Sequence, residues 1–253
     1  LEPVSLGAGS MKLEGYNNNR RQEGGPTDPV LSVLRIDGED GAPMAFYYNF
    51  AAHPTVMGGG NLEFSAEFPG AVRKYVAEKF DGAEALFVNG SLGNMSLSCP
   101  GGCGGGFEKI DTVGRRFADF IAEVSEDIEM KEEAAFTFVS REIVMHPDFG
   151  MWTNMSGMRI GDAAFVSNPG ELYVELGFPV RERAEELGFE TCFILGITND
   201  GIGYIIPEDW FHKHIYEATF ALYGPKEGEF VRDRMISIMD QLAGARGDSM
   251  SGR

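Results

Sequence analysis

Four polar residues stand just past apolar runs and carry side chains that can bind a metal or act on a carbonyl. His53 follows "FYYNFAA", Ser96 follows "ALFVNGSLGNM", Glu171 follows "AAFVSNPG", and Tyr204 follows "CFILGITNDGIG". An imidazole, a carboxylate and a phenolate converging on one point make a nitrogen–oxygen donor set of the kind zinc accepts at about 2.0–2.2 Å. Ser96 has only a loose likeness to the serine of a Gly-x-Ser-x-Gly elbow, with Gly93 before it and Leu97–Ser98 after it. Each residue also has a purely structural reading. His53 can be a hydrogen-bonded core histidine, Glu171 the first-turn acid of a helix, and Tyr204 a half-buried sheet residue. Residue types alone leave both readings open.

The elements that must position these residues follow from hydrophobic periodicity. Apolar and β-branched runs predict strands over 28–37, 44–53, 83–90, 134–145, 158–170 and 191–200. Helical spacing predicts helices from Pro69 to Phe80, over 108–128 and over 171–188, and a closing helix within 217–243. Ser65 or Glu67 stands where the free amides of the first helix need acceptors. Residues 1–27 are rich in turn formers and read as an irregular lead-in. Strands and helices alternate without a long linker or repeat, which predicts one α/β domain over 1–253, its mixed sheet or sheets covered by helices. In such folds, loops beyond the strand ends converge on a crevice, where ligand-binding residues collect.

Composition narrows the partners. With 21 Lys and Arg against 39 Asp and Glu, the formal charge is −18. Such a surface repels phosphate backbones, which argues against nucleic acid; it fits solvation in a salty medium or colloidal solubility. No stretch approaches the roughly 20 apolar residues of a membrane-spanning helix. Cys99 and Cys103, in "SCPGGCGGGF", can close a local disulfide, stay as thiols, or lend two thiolates to a metal. A structural zinc needs about four ligands and no other Cys or His is near in sequence, so the first two readings are preferred. Cys192 stands alone in an apolar stretch. The chain opens on Leu1 without a signal-peptide pattern, which leads us to expect either a processing site or an artificial boundary, with a segment missing upstream.

The same residues carry a family likeness. "YYNFAAHPTVMGGGNLEFSAEFPG" resembles the segment of neutral/alkaline (non-lysosomal) ceramidases in which a buried strand ends in a zinc-binding histidine. "ALFVNGSLGNMS" is similar to that family's strand leading to an Asn-x-x-x-Gly-Asp-x-Ser segment, and "NPGELYVELG" to its Pro-Gly-Glu helix start. "GITNDGIGYIIPEDWFHKHIYEATFALYGP" resembles its last signature, and "NNNRR" its Asn-Arg lead-in. The order of the four main segments agrees from about Leu6 to Leu242. The resemblance implies that His53, Glu171 and Tyr204 are zinc ligands, that Ser96 is the active-site serine, and that Tyr216 polarises the amide or holds the oxyanion. It implies one Zn2+, hydrolysis of an N-acyl amide by metal-activated water, and a small amphiphilic amide as substrate. A long acyl chain would need an apolar groove, with which the 12 methionines and 19 phenylalanines are compatible. The expected location is extracellular or at the cell surface.

Departures from the family pattern are equally specific. The family has a second zinc histidine, in an upstream His-x-His segment, and no histidine precedes His53. His146, His212 and His214 lie in segments that do not match, and the last two read as surface residues. Asn94 stands where the family has an acid, "LSCPGGCGGG" replaces the loop after the serine, and the C-terminal immunoglobulin-like domain of many members has no counterpart. Two expectations stay open: a zinc amidohydrolase whose missing histidine lies on an upstream segment or second chain, or a non-catalytic, self-assembling relative with a degenerate metal site.

Overall fold

The β-branched run "VLSVLRID" and the aromatic-rich "PMAFYYNF" suit a pleated sheet, the former covered on both faces with Leu31, Ser32, Val33 and Leu34 buried in succession, and they form the two central strands of the first of two compact units. The computed structural model describes residues 2–146 and 150–248. The first unit comprises the chain up to Val88 together with Ser96–Ala134, and the second Asn89–Met95 together with the chain from Ala135 onward. The architecture is α/β, with mixed sheets covered by helices, as the element pattern predicts.

In the first unit the order is β1 (Ser5–Lys12), β2 (Asn17–Asn19), β3 (Val30–Asp37), β4 (Pro43–Phe50), α1 (Glu67–Lys79), β5 (Glu84–Asn89), the short β6 (Met95–Leu97) and α2 (Gly106–Glu126). Its sheet runs β1-β3-β4-β5, with β3 antiparallel to both β1 and β4. Helix α2 buries Ile110, Val113, Phe117, Ile121 and Val124, one stripe at helical spacing. Phe117 meets Phe50 and Phe68 edge-on or tilted, with ring centroids 5.2 and 5.5 Å away, so strand and both helices share one aromatic core. Helix α1 reaches α2 closely because Gly114 has no side chain; a Cβ there would run into Ala71.

The irregular lead-in expected over 1–27 is corrected by β1 and β2. The segment "SLGAGSMK" lacks the branched and aromatic residues that mark strands, and packing explains why. A Cβ on Gly7 would lie within 2.5 Å of Ile128 Cγ2, and one on Gly9 within 2.9 Å of Ile128 Cγ1. The strand needs small residues because the end of α2 and the residues after it press on its backbone.

The second unit contains β7 (Phe136–His146), β8 (Met151–Ile160), β9 (Ala163–Ser167), β10 (Glu171–Leu172), α3 (Val174–Glu186), β11 (Thr191–Leu195), β12 (Tyr204–Ile205), the single turn α4 (Glu208–Phe211), a 3-10 turn at Glu217–Phe220, and α5 (Glu227–Asp248). Its sheet runs β11-β9-β8-β7; β9 is parallel to β11, and β8 is antiparallel to both its neighbours. Ile143, Met155, Ala164, Val166 and Ile194 from the sheet pack in one buried cluster with Val180 of α3 and Met235, Ile238 and Leu242 of α5. The single strand expected over 158–170 is instead a hairpin, because Gly161 adopts φ +57° and reverses the chain at Asp162.

Gly7→Ala tests the account of β1. We expect a loss of about 1–3 kcal/mol in urea unfolding, the usual cost of overpacking; an unchanged midpoint would refute the close-approach explanation.

Candidate active-site residues

In the first unit, strand β4 ends at Phe50, three residues earlier than expected, and the buried Ala51 and Ala52 carry the chain to His53. The amide of Asn17 donates to the Ala51 carbonyl at 2.9 Å and anchors this exit. His53 is half-buried and forms an isolated parallel bridge with Ser96, so the structure brings these two residues to adjacent backbone positions. The turn after His53 is held from a distance. Thr55 N–H donates to the His53 carbonyl at 2.9 Å, while both oxygens of Glu67 accept, one from Val56 N–H at 3.0 Å and the other from Met57 N–H at 2.8 Å. Glu67 sits at φ +53°, and its own N–H donates to Ser65 Oγ at 2.9 Å. The sequence reading gave Ser65 or Glu67 to the free amides of the helix. Ser65 fills that role, whereas the Glu67 carboxylate serves the loop that follows His53.

The thiolate–metal reading of Cys99 and Cys103 is overturned: the two form a disulfide with Cα atoms 6.0 Å apart. Arg116 of α2 holds the enclosed loop, donating to the Pro100 carbonyl at 2.7 Å and to Cys99 Sγ at 3.4 Å.

In the second unit, Glu171 is the register partner of Tyr204 in the parallel ladder of β10 and β12. The helix-start reading of Glu171 is thereby corrected; Glu175 is the acid in the first turn of α3. Glu171 N–H donates to the Gly203 carbonyl and Tyr173 N–H to the Ile205 carbonyl, each at 2.9 Å. Register partners on neighbouring strands, about 4.8 Å apart, project their side chains to the same face. The Tyr204 ring, buried, meets Tyr216 edge-on at 5.8 Å. His212 and His214 are exposed, as expected.

Asn94, fully buried, has both ends of its amide engaged at the start of α3. Its Oδ1 accepts from Val174 N–H at 3.0 Å and its Nδ2 donates to Glu175 Oε2 at 2.8 Å. Beside it, Gly93 N–H donates to the Leu172 carbonyl at 2.8 Å. The amide thus satisfies one orphan donor of the helix and neutralises nothing, a role that an ionised acid facing Glu175 could not fill.

Glu227 is a further carboxylate that sequence reasoning missed. At the start of α5 it reads as an ordinary first-turn acid, and no local signal marks its burial. Its Oε2 accepts from Tyr223 N–H at 3.0 Å, while Oε1 is buried with no hydrogen-bond partner. Burial pushes the carboxyl up to about 7, against a smaller opposing effect of the Tyr223 bond.

Among the described residues, no three His, Cys, Asp or Glu side chains gather closely enough to hold a metal ion.

No family model matches the sequence, and no curated protein matches it. Solved structures share its fold. The neutral ceramidase from Pseudomonas aeruginosa superposes with a TM-score of 0.82 at 17% identity, over 96% of this chain and 53% of that one. A ceramidase complexed with C2 gives 0.81 at 17% identity, over 97% of this chain and 54% of that one. The chain spans about half the length of these solved chains, and its fold is that of the neutral ceramidases, as the sequence resemblance implied.

Two measurements test these assignments. Asn94→Asp should cost about 2–3 kcal/mol at neutral pH by opposing two carboxylates. Adding Glu175→Gln should restore most of that loss, and no recovery in the double variant would refute the pairing. For Glu227, a folded value of about 7 lies above the roughly 4.3 of an exposed Glu. The folded state then binds the proton more tightly, so stability is full below about pH 4 and falls as pH rises through 7. Glu227→Gln should remove about 2–3 kcal/mol of the stability difference between pH 5 and pH 8; parallel pH profiles of the two proteins would contradict this.

Proposed function

We propose that this chain hydrolyses the amide bond of an N-acyl amine, ceramide-like or another small amphiphilic amide, with one zinc ion as cofactor. The observation that carries the reading is the pairing among the residues concerned. Glu171 is in register with Tyr204, Tyr204 touches Tyr216, and His53 bridges Ser96. The carboxylate and phenol on paired strands fit zinc, which accepts oxygen donors beside imidazole nitrogen. His53, Glu171 and Tyr204 would hold it, leaving a fourth position for water or substrate.

When bound, zinc supplies a Lewis acid and an activated water near neutral pH. The Tyr216 and Ser96 hydroxyls donate hydrogen bonds to the amide oxygen as it gains negative charge. The C–N bond breaks, the water oxygen stays on the acyl carbon, and the amine leaves with the proton. Glu67 keeps the turn after His53 in place through its two amide contacts. The Cys99–Cys103 disulfide supports action outside the cell or at its surface, where such bonds persist. Among the described residues, no helix is long and apolar enough to cross a membrane.

A non-catalytic, self-assembling reading draws on Asn94, whose amide is committed to the start of α3 at the position where the family pattern has an acid. Metal analysis and turnover separate the two. On the amidase reading the purified protein binds about one zinc per chain and hydrolyses an N-acyl amide in a chelator-sensitive way. His53→Ala should then lower metal affinity and turnover by at least about 100-fold, since losing even an outer partner of a metal ligand costs about 10–100-fold. A stable assembly with neither zinc nor turnover after zinc is supplied would favour the second reading.

A further inference from the structure

Strand β7 ends the sheet β11-β9-β8-β7 and, among the described residues, pairs with β8 alone, so one edge of its backbone has no strand beside it. It is 11 residues long and leaves Phe136, Phe138 and Val144 exposed. Proteins ordinarily cover or blunt an edge of that kind. Next to this edge lies a groove of about 440 Å³. Residues 141–144 line it in unbroken succession, and successive strand residues point to opposite faces. The groove therefore follows the backbone edge of β7 and is not confined to one face of the sheet. Its other wall is α5, through Phe230, Arg234, Ser237 and Gln241, which recur at helical spacing on one side of the helix. From Phe230 to Gln241 the helix rises about 16 Å, the reach of about five residues of extended chain. An exposed sheet edge is where an extended peptide can dock as an added strand.

Charge is the second observation, for the groove is basic in a chain of formal charge −18. Arg141 shares a face of the sheet with Ile143. Their register partners Met155 and Thr153 are fully buried, and on the same face a Cβ at Gly157 would run into Ile238 of α5. Arg141 thus projects on the side where α5 stands, and Arg234 lines the groove from the helix. Arg141 donates to the Ser140 carbonyl at 2.9 Å and to Gln241 Oε1, while Arg234 lies over the Phe230 ring, 4.8 Å from its centroid. Neither guanidinium has a carboxylate partner among the described residues, whereas Arg232 takes Asp233 at 2.8 Å. Glu142 and Val144 lie on the opposite face, in register with Asn154 and the exposed Trp152. A charge that only guarded the edge would need no second arginine on the helix across the groove.

We infer that the groove between β7 and α5 docks an extended acidic peptide of another protein, which joins the sheet as a fifth strand beside β7. Its carboxylates alternate toward Arg141 and Arg234, and the apolar side chains between them lie with Val144 and Trp152 on the other face. The site uses none of the residues assigned to amide hydrolysis.

The test is fluorescence anisotropy of the full chain with a labelled peptide of about seven residues, alternating glutamate and valine and capped at both ends. Saturable binding tighter than about 1 mM is expected, weakening as salt rises. Because the chain as a whole repels acidic peptides, such binding reports the groove. The lysine–valine counterpart, and a peptide of the same composition with its glutamates and valines in two blocks, should bind at least about tenfold more weakly. Two further peptides carry N-methyl groups on one or the other alternate set of amides. One should lose binding by about tenfold or more and the other should keep it, since only one edge of an added strand meets β7. Arg141→Gln and Arg234→Gln should each weaken binding about three- to fivefold. Arg73→Gln, which alters an exposed arginine of the other unit, should leave it unchanged. Absence of saturable binding, equal binding of the block or lysine peptide, equal behaviour of the two N-methylated peptides, or indifference to both arginine changes overturns the inference. A dimer of the unaltered chain that excludes the peptide and falls apart in Arg141→Gln would assign the edge to a second copy and overturn it as well.

Discussion

The close approach of two main chains at Gly170 and Gly203 governs the second unit. A side chain at either position would meet a neighbouring carbonyl oxygen. Only that approach lets β10 lie against β12 with Glu171 opposite Tyr204, and the ladder continues through Tyr173 to the first turn of α3. Gly93 extends the same constraint, since a Cβ there would lie 2.5 Å from the Glu171 carbonyl oxygen. The candidate ligands are therefore placed by backbone contacts, which hold position more firmly than long side chains reaching across a cleft.

Three carboxylates are handled in contrasting ways. Glu67 is satisfied by two backbone amides, and Glu175 by the Asn94 amide. Glu227 is buried with one oxygen unsatisfied and holds its proton up to about pH 7. A carboxylate taken out of water with a single backbone donor keeps its proton, because burial disfavours its charge regardless of local sequence.

The fold is shared with neutral ceramidases at 17% identity. At that level the alternation of buried and exposed positions can persist while individual residues change, and chemistry has to be argued from the site. The proposed amide hydrolysis is argued from the pairing of Glu171 with Tyr204 and of His53 with Ser96. The disulfide loop and Asn94 mark where this chain follows its own course.

The local pattern determined a good deal. The strands in 30–37, 43–50 and 84–89 are legible from their β-branched and aromatic residues, and the stripe of α2 is legible because it records burial of one face at a fixed period. His53, Ser96, Glu171 and Tyr204 were visible as polar residues closing apolar runs, and the Cys-x3-Cys spacing admitted a local disulfide. Tertiary structure alone decided that "SLGAGSMK" is a strand, since its glycines are explained by Ile128 pressing on it. It alone decided that Glu171 pairs in a sheet, that Asn94 serves α3, that Glu67 serves the turn after His53 and that Glu227 is buried. Periodicity reports which face of a segment is covered. Close approach and desolvation depend on what does the covering, and those groups lie tens of residues away in the chain.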